Sequence, residues 1–252
     1  MPYSPTELLL VAGILLASSV VQGAVGFASG LFGIPLLMLT GISLPNAVAI
    51  SLVASAVQNC TAAWQLRHQI DYRRDLRPML IRFALLPLGA LALWWVGQAG
   101  KEGASLMVGV VLLTMLALQW WLAVPPQPSL HPAWEWLAFG AGGFLLGLCG
   151  MGGPPMVLWV MAHDWPMPRA RAFMYYLFAT GMPLQALLLW LLFGNDILWA
   201  MLVGLVTLPV LLVGIHIGLA IGNRLPDRLV RGLATAVLLL IAVSAIASPW
   251  LW

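Results

Sequence analysis

The chain has 252 residues, of which 62% are hydrophobic and only 8% charged, and its mean hydropathy is +0.98. A soluble domain carries roughly a quarter charged residues and could not bury so much apolar surface, so a soluble enzyme and a disordered chain are excluded. The net charge of +3 comes from 11 basic and 8 acidic residues, too few for a nucleic-acid-binding surface.

The composition predicts an all-α polytopic membrane protein, because a membrane-spanning helix needs about 20 mostly apolar residues. Two Gly- and Pro-rich breaks, at residues 23–35 and 149–155, each precede a short apolar segment. The first basic residue is Arg67, so the first segment is predicted to be a span and not a cleaved signal peptide. Eight long segments are predicted, at about 6–22, 45–66, 78–96, 104–124, 133–148, 168–193, 197–221 and 229–247, with short ones at 36–41 and 156–162.

An internal repeat relates the two breaks. Residues 30–35 overlay 150–155 at a shift of 120, and Pro45 overlays Pro168 after a three-residue insertion. Glycine and proline matches in the same order predict two homologous halves. The predicted units are a first repeat at 1–124, a Pro-rich connection at 125–132 and a second repeat at 133–252.

Charge placement predicts that the two repeats have inverted topology. If each break turns the chain back into a helical hairpin, each half has a hairpin and three full crossings, an odd number. Ten of the eleven basic residues then fall on one side, and Lys101 alone on the other. The positive-inside rule makes the arginine-rich side cytoplasmic and places both termini on the outer side of the inner (cytoplasmic) membrane. The parity is the same if the short segments cross fully.

The two breaks are the predicted binding site. Irregular backbone at membrane depth survives only inside protein or beside a water cavity, and matched breaks in inverted halves indicate the midplane site of a secondary transporter. Short helices starting near Pro35 and Pro155 would direct N-terminal amides at the site, which favours anions. Close helix packing is the alternative role of the glycines. The break residues assigned to the site are Gly30, Gly33, Pro35, Gly150, Gly152, Gly153, Pro154 and Pro155.

Polar side chains on the flanking segments complete the predicted substrate site. Positions 51, 55 and 58 share one helical face, and position 59 lies beside it. The assigned residues are Ser51, Ser55, Gln58, Asn59, Thr180 and Gln185. Their alternative role is hydrogen bonding between helices.

Few titratable residues lie within the predicted crossings. His216 is the candidate for proton coupling, with an ordinary helix-contact histidine as the alternative. His163 and Asp164 follow the second break and form either an interfacial pair or a gate. Cys60 and Cys149 lie in apolar runs without metal-ligand spacing, so we expect buried thiols, no metal and no cofactor.

Several runs carry a family resemblance. They are Gln22–Phe27 with Gly30, Gly33 and Pro35, then Ala47–Leu52, Gly147–Pro155 and Gly218–Leu225. On these motifs the chain resembles the sulfite exporter TauE/SafE family of membrane transporters over nearly its whole length. The resemblance implies transport of small sulfur-containing or organic anions, such as sulfite and organosulfonates.

The expected function is alternating-access transport of such an anion across the membrane. An inside-negative potential drives an anion outward by about 2.3 kcal/mol per charge per 100 mV, so export is expected. The expected partners are the small anion and the lipid bilayer, without nucleic acid, and a homo-oligomer is compatible with the sequence. The alternatives are an anion channel and an intramembrane serine hydrolase using Ser29 and His216, for which no oxyanion hole is evident.

Overall fold

The computed structural model describes residues 4–25, 29–98, 100–121, 127, 130–222, 224, 236, 239, 242–243 and 245–246. Within these ranges the chain is helical and contains no β-strand, although an isolated bridge joins Gln127 to His163. The middle of the first break, residues 26–28, and most of the predicted segment at 229–247 lie outside the described residues.

The helices overlap the first seven predicted long segments and both short ones, with one predicted segment divided into two helices. In chain order they are α1 Pro5–Val25, α2 Ser29–Leu39, α3 Leu44–Gln65, α4 Tyr72–Gln98, α5 Gly100–Trp121, α6 Pro132–Cys149, α7 Gly153–Met161, α8 Met167–Phe193, α9 Asp196–Val206 and α10 Leu208–Gly222. Five of them, α1, α3, α4, α5 and α8, are long and apolar enough to cross a membrane. A sixth span results if α9 and α10 count as one bent helix.

Proline and glycine set several helix ends. Pro45 and Pro168 lie in the first turns of α3 and α8, where a missing N–H costs nothing. Gly150 ends α6 in the left-handed conformation, with φ of 70°, and its N–H donates to the Leu146 carbonyl at 2.9 Å. The break after α6 is therefore a capped helix end.

Two helices differ from the expectations. The short helix α2 begins at Ser29, not near Pro35, so Pro35 lies inside it and cannot donate to the Leu31 carbonyl. The predicted segment 197–221 is bent by 49° at Thr207, whose hydroxyl is 3.0 Å from the Gly204 carbonyl oxygen. Apolar pattern alone does not register such a bend, because both arms are equally hydrophobic.

Both short helices fold back along the helix before them. A methyl group built at Gly33 of α2 would lie 3.3 Å from Ser18 Oγ of α1. One built at Gly142 of α6 would lie 2.8 Å from Met156 Cγ of α7. The packing of α2 on α1 and of α7 on α6 therefore has the form of two helical hairpins.

Helix packing between distant parts of the chain relies on glycine. The main long-range pairs are α4 with α6, α1 with α10, α3 with α8 and α9, and α4 with α8. A Cβ at Gly143 would clash with the Arg82 carbonyl group, and one at Gly147 with the Leu86 carbonyl oxygen. A Cβ at Gly218 would meet the Val20 carbonyl oxygen in the same way. These glycines let helix backbones touch, so packing is the role of Gly143.

Candidate functional site

The two breaks lie against each other. A methyl group built at Gly30, in the first turn of α2, would lie 3.1 Å from the carbonyl oxygen of Gly150. One built at Gly150 would lie 2.7 Å from Ile34 Cδ1 and 3.3 Å from Val48 Cγ1. Two segments that are 120 residues apart in the sequence thus meet beside α3.

A cluster of buried polar groups lies next to α2. Ser51 Oγ of α3 and Ser18 Oγ of α1 both approach Gly33, at 3.5 and 3.3 Å from the position of an added Cβ. Ser51 Oγ and Gln22 Oε1 are buried and have no hydrogen-bond partner within the described part of the chain. The sequence pointed to Ser51; Ser18 is an addition that the hairpin geometry supplies, and Gln22 lies one turn beyond Ser18 on α1.

The start of α7 has fewer free backbone N–H groups than an ordinary helix start, because two of its first residues are prolines. Pro154 and Pro155 occupy the first turn, are buried and have no N–H. The amides near this helix start are therefore those of Gly152 and Gly153. Gly152 packs against the Gly142 carbonyl, whereas an added Cβ at Gly153 meets only Phe178 Cζ, at 3.5 Å.

The other predicted polar residues do not form one group. Gln58 and Asn59 lie two turns beyond Ser51 on α3, which places them about 10–12 Å further along the axis. Ser55 lies between Ser51 and Gln58 and is half-buried. The Thr180 hydroxyl donates to carbonyl groups of its own helix, to Tyr176 at 2.8 Å. Gln185 is buried, and its Nε2 donates to the Leu146 carbonyl oxygen of α6 at 2.8 Å.

Arg82 is a buried cation, although the sequence pointed to it only as one of the ten basic residues that orient the chain in the membrane. It lies in α4 with no exposed surface, and its Nη1 donates to the Leu177 carbonyl oxygen of α8. An added Cβ at Gly181 would lie 3.1 Å from its Cζ, and the Phe178 ring centroid lies 5.4 Å from the same atom. An arginine inside an apolar segment is itself a signal for function.

A second arginine joins the N-terminal ends of the same two helices. Arg169 of α8 binds both carboxylate oxygens of Asp75 of α4, one of them at 2.7 Å, and also donates to the Gln69 carbonyl oxygen at 2.9 Å. The Asp75 side chain is fully buried, and Arg169 lies over the Trp165 ring at 4.9 Å. This bidentate ion pair gives Arg169 a structural role beyond orientation of the chain.

The histidines lie away from the contact between the breaks. His216 is exposed on α10, and its Nδ1 is 2.7 Å from the Leu212 carbonyl oxygen of its own helix. His163 is buried between Trp159 and Trp165, with ring centroids 4.0 and 4.9 Å away, while Asp164 is exposed. His163 therefore lies in an aromatic cluster, and its packing partners are the two tryptophans and not Asp164.

The remaining candidates have separate outcomes. Cys149 is buried as expected, but Cys60 is exposed, because it lies on the outer face of α3 next to buried Asn59. Groups of His, Cys, Asp or Glu that could hold a metal are absent from the described ranges. The side chain of Ser29, on which the hydrolase alternative depends, lies outside the described part. A separate cavity of about 120 Å³ lies beside Lys101 and contains none of the assigned residues.

Comparison with known proteins supports the resemblance. The model of the family described as "Sulfite exporter TauE/SafE" matches residues 10–245, which is nearly the whole chain. A comparison with curated proteins and another with solved structures each return no match. The match covers both breaks, Arg82 and all the described helices except the first turn of α1. The chain therefore belongs to the sulfite exporter TauE/SafE family, a family of multi-pass membrane transporters.

Proposed function

We propose that this protein carries small anions, sulfite and organosulfonates first among them, out of the cell across the cytoplasmic membrane. The observation that carries the proposal is the contact between the two breaks, in which Gly30 lies against the Gly150 carbonyl. A transporter of this kind binds its substrate where broken helices from two repeats meet.

The packing pattern supports two inverted repeats. At a shift of about 120 residues, α6 corresponds to α1, α8 to α3, and the α9–α10 pair to α4. The pairing of α1 with α10 then corresponds to that of α6 with α4. The pairing of α3 with α9 likewise corresponds to that of α8 with α4. Such an exchange of partners between the halves is what a two-fold relation produces.

The burial of the breaks supports a carrier over a channel. Ile34, Pro154 and Pro155 are buried, and the Gly150 cap is half-buried. A substrate can reach a closed contact between two hairpins only when the hairpins separate on one side of the membrane. We therefore propose alternating access. An anion channel is the second candidate. Outward flux needs no coupled cation, because the membrane potential drives it. Uptake would need one, and His216 would be its candidate carrier.

The proposal is tested with the purified full-length protein in liposomes. We expect saturable sulfite or organosulfonate flux with counterflow, which a channel would not show. Gly153→Leu should lower the flux about tenfold or more, because a leucine side chain at this position would push against the Phe178 ring beside the start of α7. Pro155→Ala, which adds an N–H to the first turn of α7, should change the apparent KM.

Gly13→Leu is the matched control, because no atom of the described residues lies within 4 Å of a Cβ at Gly13. The proposal is wrong if the flux of every small anion tested equals that of empty liposomes. A flux that does not saturate and shows no counterflow would favour the channel.

A further inference from the structure

Arg82 of α4 is buried against two other helices, α6 and α8. Its backbone carbonyl lies against Gly143 of α6, its guanidinium lies against Gly181 of α8, and Phe178 lies beside it. Neither Asp75 nor any other carboxylate of the described residues forms an ion pair with it. The positive charge is therefore held inside the protein without a counter-charge.

The two free donors of Arg82 share one edge of the guanidinium. Nη1 is occupied by the Leu177 carbonyl oxygen, whereas Nε and Nη2 are buried and without a partner in the described chain. In arginine the N–H bonds of Nε and Nη2 run parallel on the edge away from Cδ. This fork is the one that binds two oxygens of a carboxylate, sulfonate or phosphate.

An uncompensated buried cation is strongly destabilising, so its retention calls for a ligand. Linking α4 to α8 through the Leu177 carbonyl uses a single donor, and a neutral glutamine would supply it without a buried charge. That structural role leaves the charge and the free edge unexplained. An anion that binds and leaves explains both.

The neighbours of Arg82 connect it to the second break. The Thr180 hydroxyl shares the Leu177 carbonyl with Arg82, at 3.2 Å, so it lies next to the guanidinium. Gln185, one turn beyond Gly181, has an unpartnered buried Oε1. The Phe178 ring lies between Arg82 and Gly153, the first residue of α7. A ligand on the free edge would thus lie close to that helix start.

We propose that Arg82 binds the transported oxyanion between α4 and α8, through a fork formed by its Nε and Nη2. This inference rests on the proposed function and adds a fixed positive charge to a site otherwise built from amides and hydroxyls. Because Arg82 has no exposed surface, the anion reaches it only when α8 separates from α4. The fork favours anions with two oxygens in one plane over spherical halides.

The test uses the full-length protein in liposomes and in detergent, with Arg82→Lys and Arg82→Met. The probes are sulfite, methanesulfonate and chloride. Arg82→Lys keeps the charge and loses the fork, so the KM for sulfite and methanesulfonate should rise about tenfold or more. Arg82→Met should abolish saturable oxyanion flux. Arg77→Met is the control, because Arg77 is an exposed arginine of the same helix, paired to Glu135 at 3.5 Å.

Thermal unfolding in detergent separates binding from folding. Methanesulfonate should raise the Tm of the unaltered protein and of Arg77→Met, and leave that of Arg82→Met unchanged. Without ligand, Arg82→Met should unfold at the same temperature as the unaltered protein or higher, because a buried unpaired charge has been removed.

The outcomes distinguish this inference from the proposed function. If the unaltered protein carries no anion, the proposed function fails. If it carries sulfite and Arg82→Lys has an unchanged KM, the proposed function stands and the role of Arg82 is overturned. An Arg82→Met variant that fails to fold, together with an unchanged KM in Arg82→Lys, would make Arg82 a structural residue.

Discussion

The helix α4 packs mainly against α6 and α8, and it contacts the two in different ways. Against α6 it packs backbone to backbone, with Gly143 and Gly147 of α6 and Gly89 of α4 in contacts that leave no space for a Cβ. Against α8 it presents two charged residues, Asp75 and Arg82. The first interface is mainly close backbone contact, with one partly exposed ion pair between Arg77 and Glu135, whereas the second adds a buried ion pair and a buried guanidinium to its apolar packing.

The difference indicates which of the two interfaces can move. Interdigitated backbones cannot slide without losing many contacts at once, so α4 and α6 form a fixed unit. Hydrogen bonds and ion pairs can exchange one partner for another, and Nε and Nη2 of Arg82 have no partner within the described chain that would have to be displaced. We therefore expect the proposed transport cycle to open the interface between α4 and α8.

Cross-linking tests this difference and has the largest expected effect. In a chain whose two cysteines are replaced by alanine, we introduce Met79→Cys with Tyr176→Cys across α4 and α8. Tyr176 Oη lies 3.6 Å from Met79 Sδ, so a short reducible thiol cross-linker spans the pair. Transport in liposomes should fall about tenfold or more on cross-linking and recover on reduction, because the opening of this interface is blocked.

The matched pair for this experiment is Leu85→Cys with Gly140→Cys across α4 and α6. A Cβ at Gly140 would lie 2.9 Å from Leu85 Cδ1, which the first substitution removes. Cross-linking this pair should leave transport nearly unchanged. Equal loss in both pairs would show that the two interfaces do not differ in mobility.

The next effect is on stability and compares the two arginines that join α4 to α8. Arg169→Met leaves Asp75 buried without its partner and should cost about 3–5 kcal/mol of unfolding free energy. Arg82→Met should cost less than about 1 kcal/mol, since it leaves no charge unpaired. Denaturant unfolding in detergent measures both. Replacing Asp75 by leucine together with Arg169→Met should recover most of the loss, and similar costs for the two arginines would remove the distinction.

The smallest effects come from glycines at the two interfaces. Gly143→Ala places a methyl group against the Arg82 carbonyl, which cannot move independently, and should cost about 1–3 kcal/mol. Gly181→Ala places one 3.1 Å from the guanidinium, whose flexible side chain can yield, and should cost about 0.5 kcal/mol or less. Unfolding measures both costs. Gly181→Ala should also raise the KM for methanesulfonate about threefold; a larger stability loss at Gly181 would contradict the comparison.

The sequence was informative about helices and breaks for a physical reason. Apolar runs as long as a bilayer is thick leave few choices of structure, and glycine and proline mark where those runs stop. The hairpins, the starts of α3 and α8 and the cap at Gly150 follow from local chemistry. The bend at Thr207 and the position of Pro35 inside α2 depend on packing, which hydropathy does not register.

The site was less predictable, because burial depends on which helices meet. Gly30 and Gly150 were assigned from their motif, and their contact is a matter of tertiary structure. Arg82 lies inside the predicted segment 78–96, but it was counted with the loop arginines that set the topology, since the sequence does not tell which side of that helix is covered. Only the position of α8 shows that its guanidinium is covered.

The pairing of α1 with α10 has a consequence for how the protein is made. The Ser19 hydroxyl donates to the Leu211 carbonyl oxygen at 3.1 Å, across 192 residues of chain. At a synthesis rate of about 5–20 residues per second, the first span waits roughly 10–40 s for this partner. Until α10 is made, the Ser19 hydroxyl lacks the carbonyl to which it donates in the folded protein. The oldest helix in the nascent chain is thus among the last to be completed.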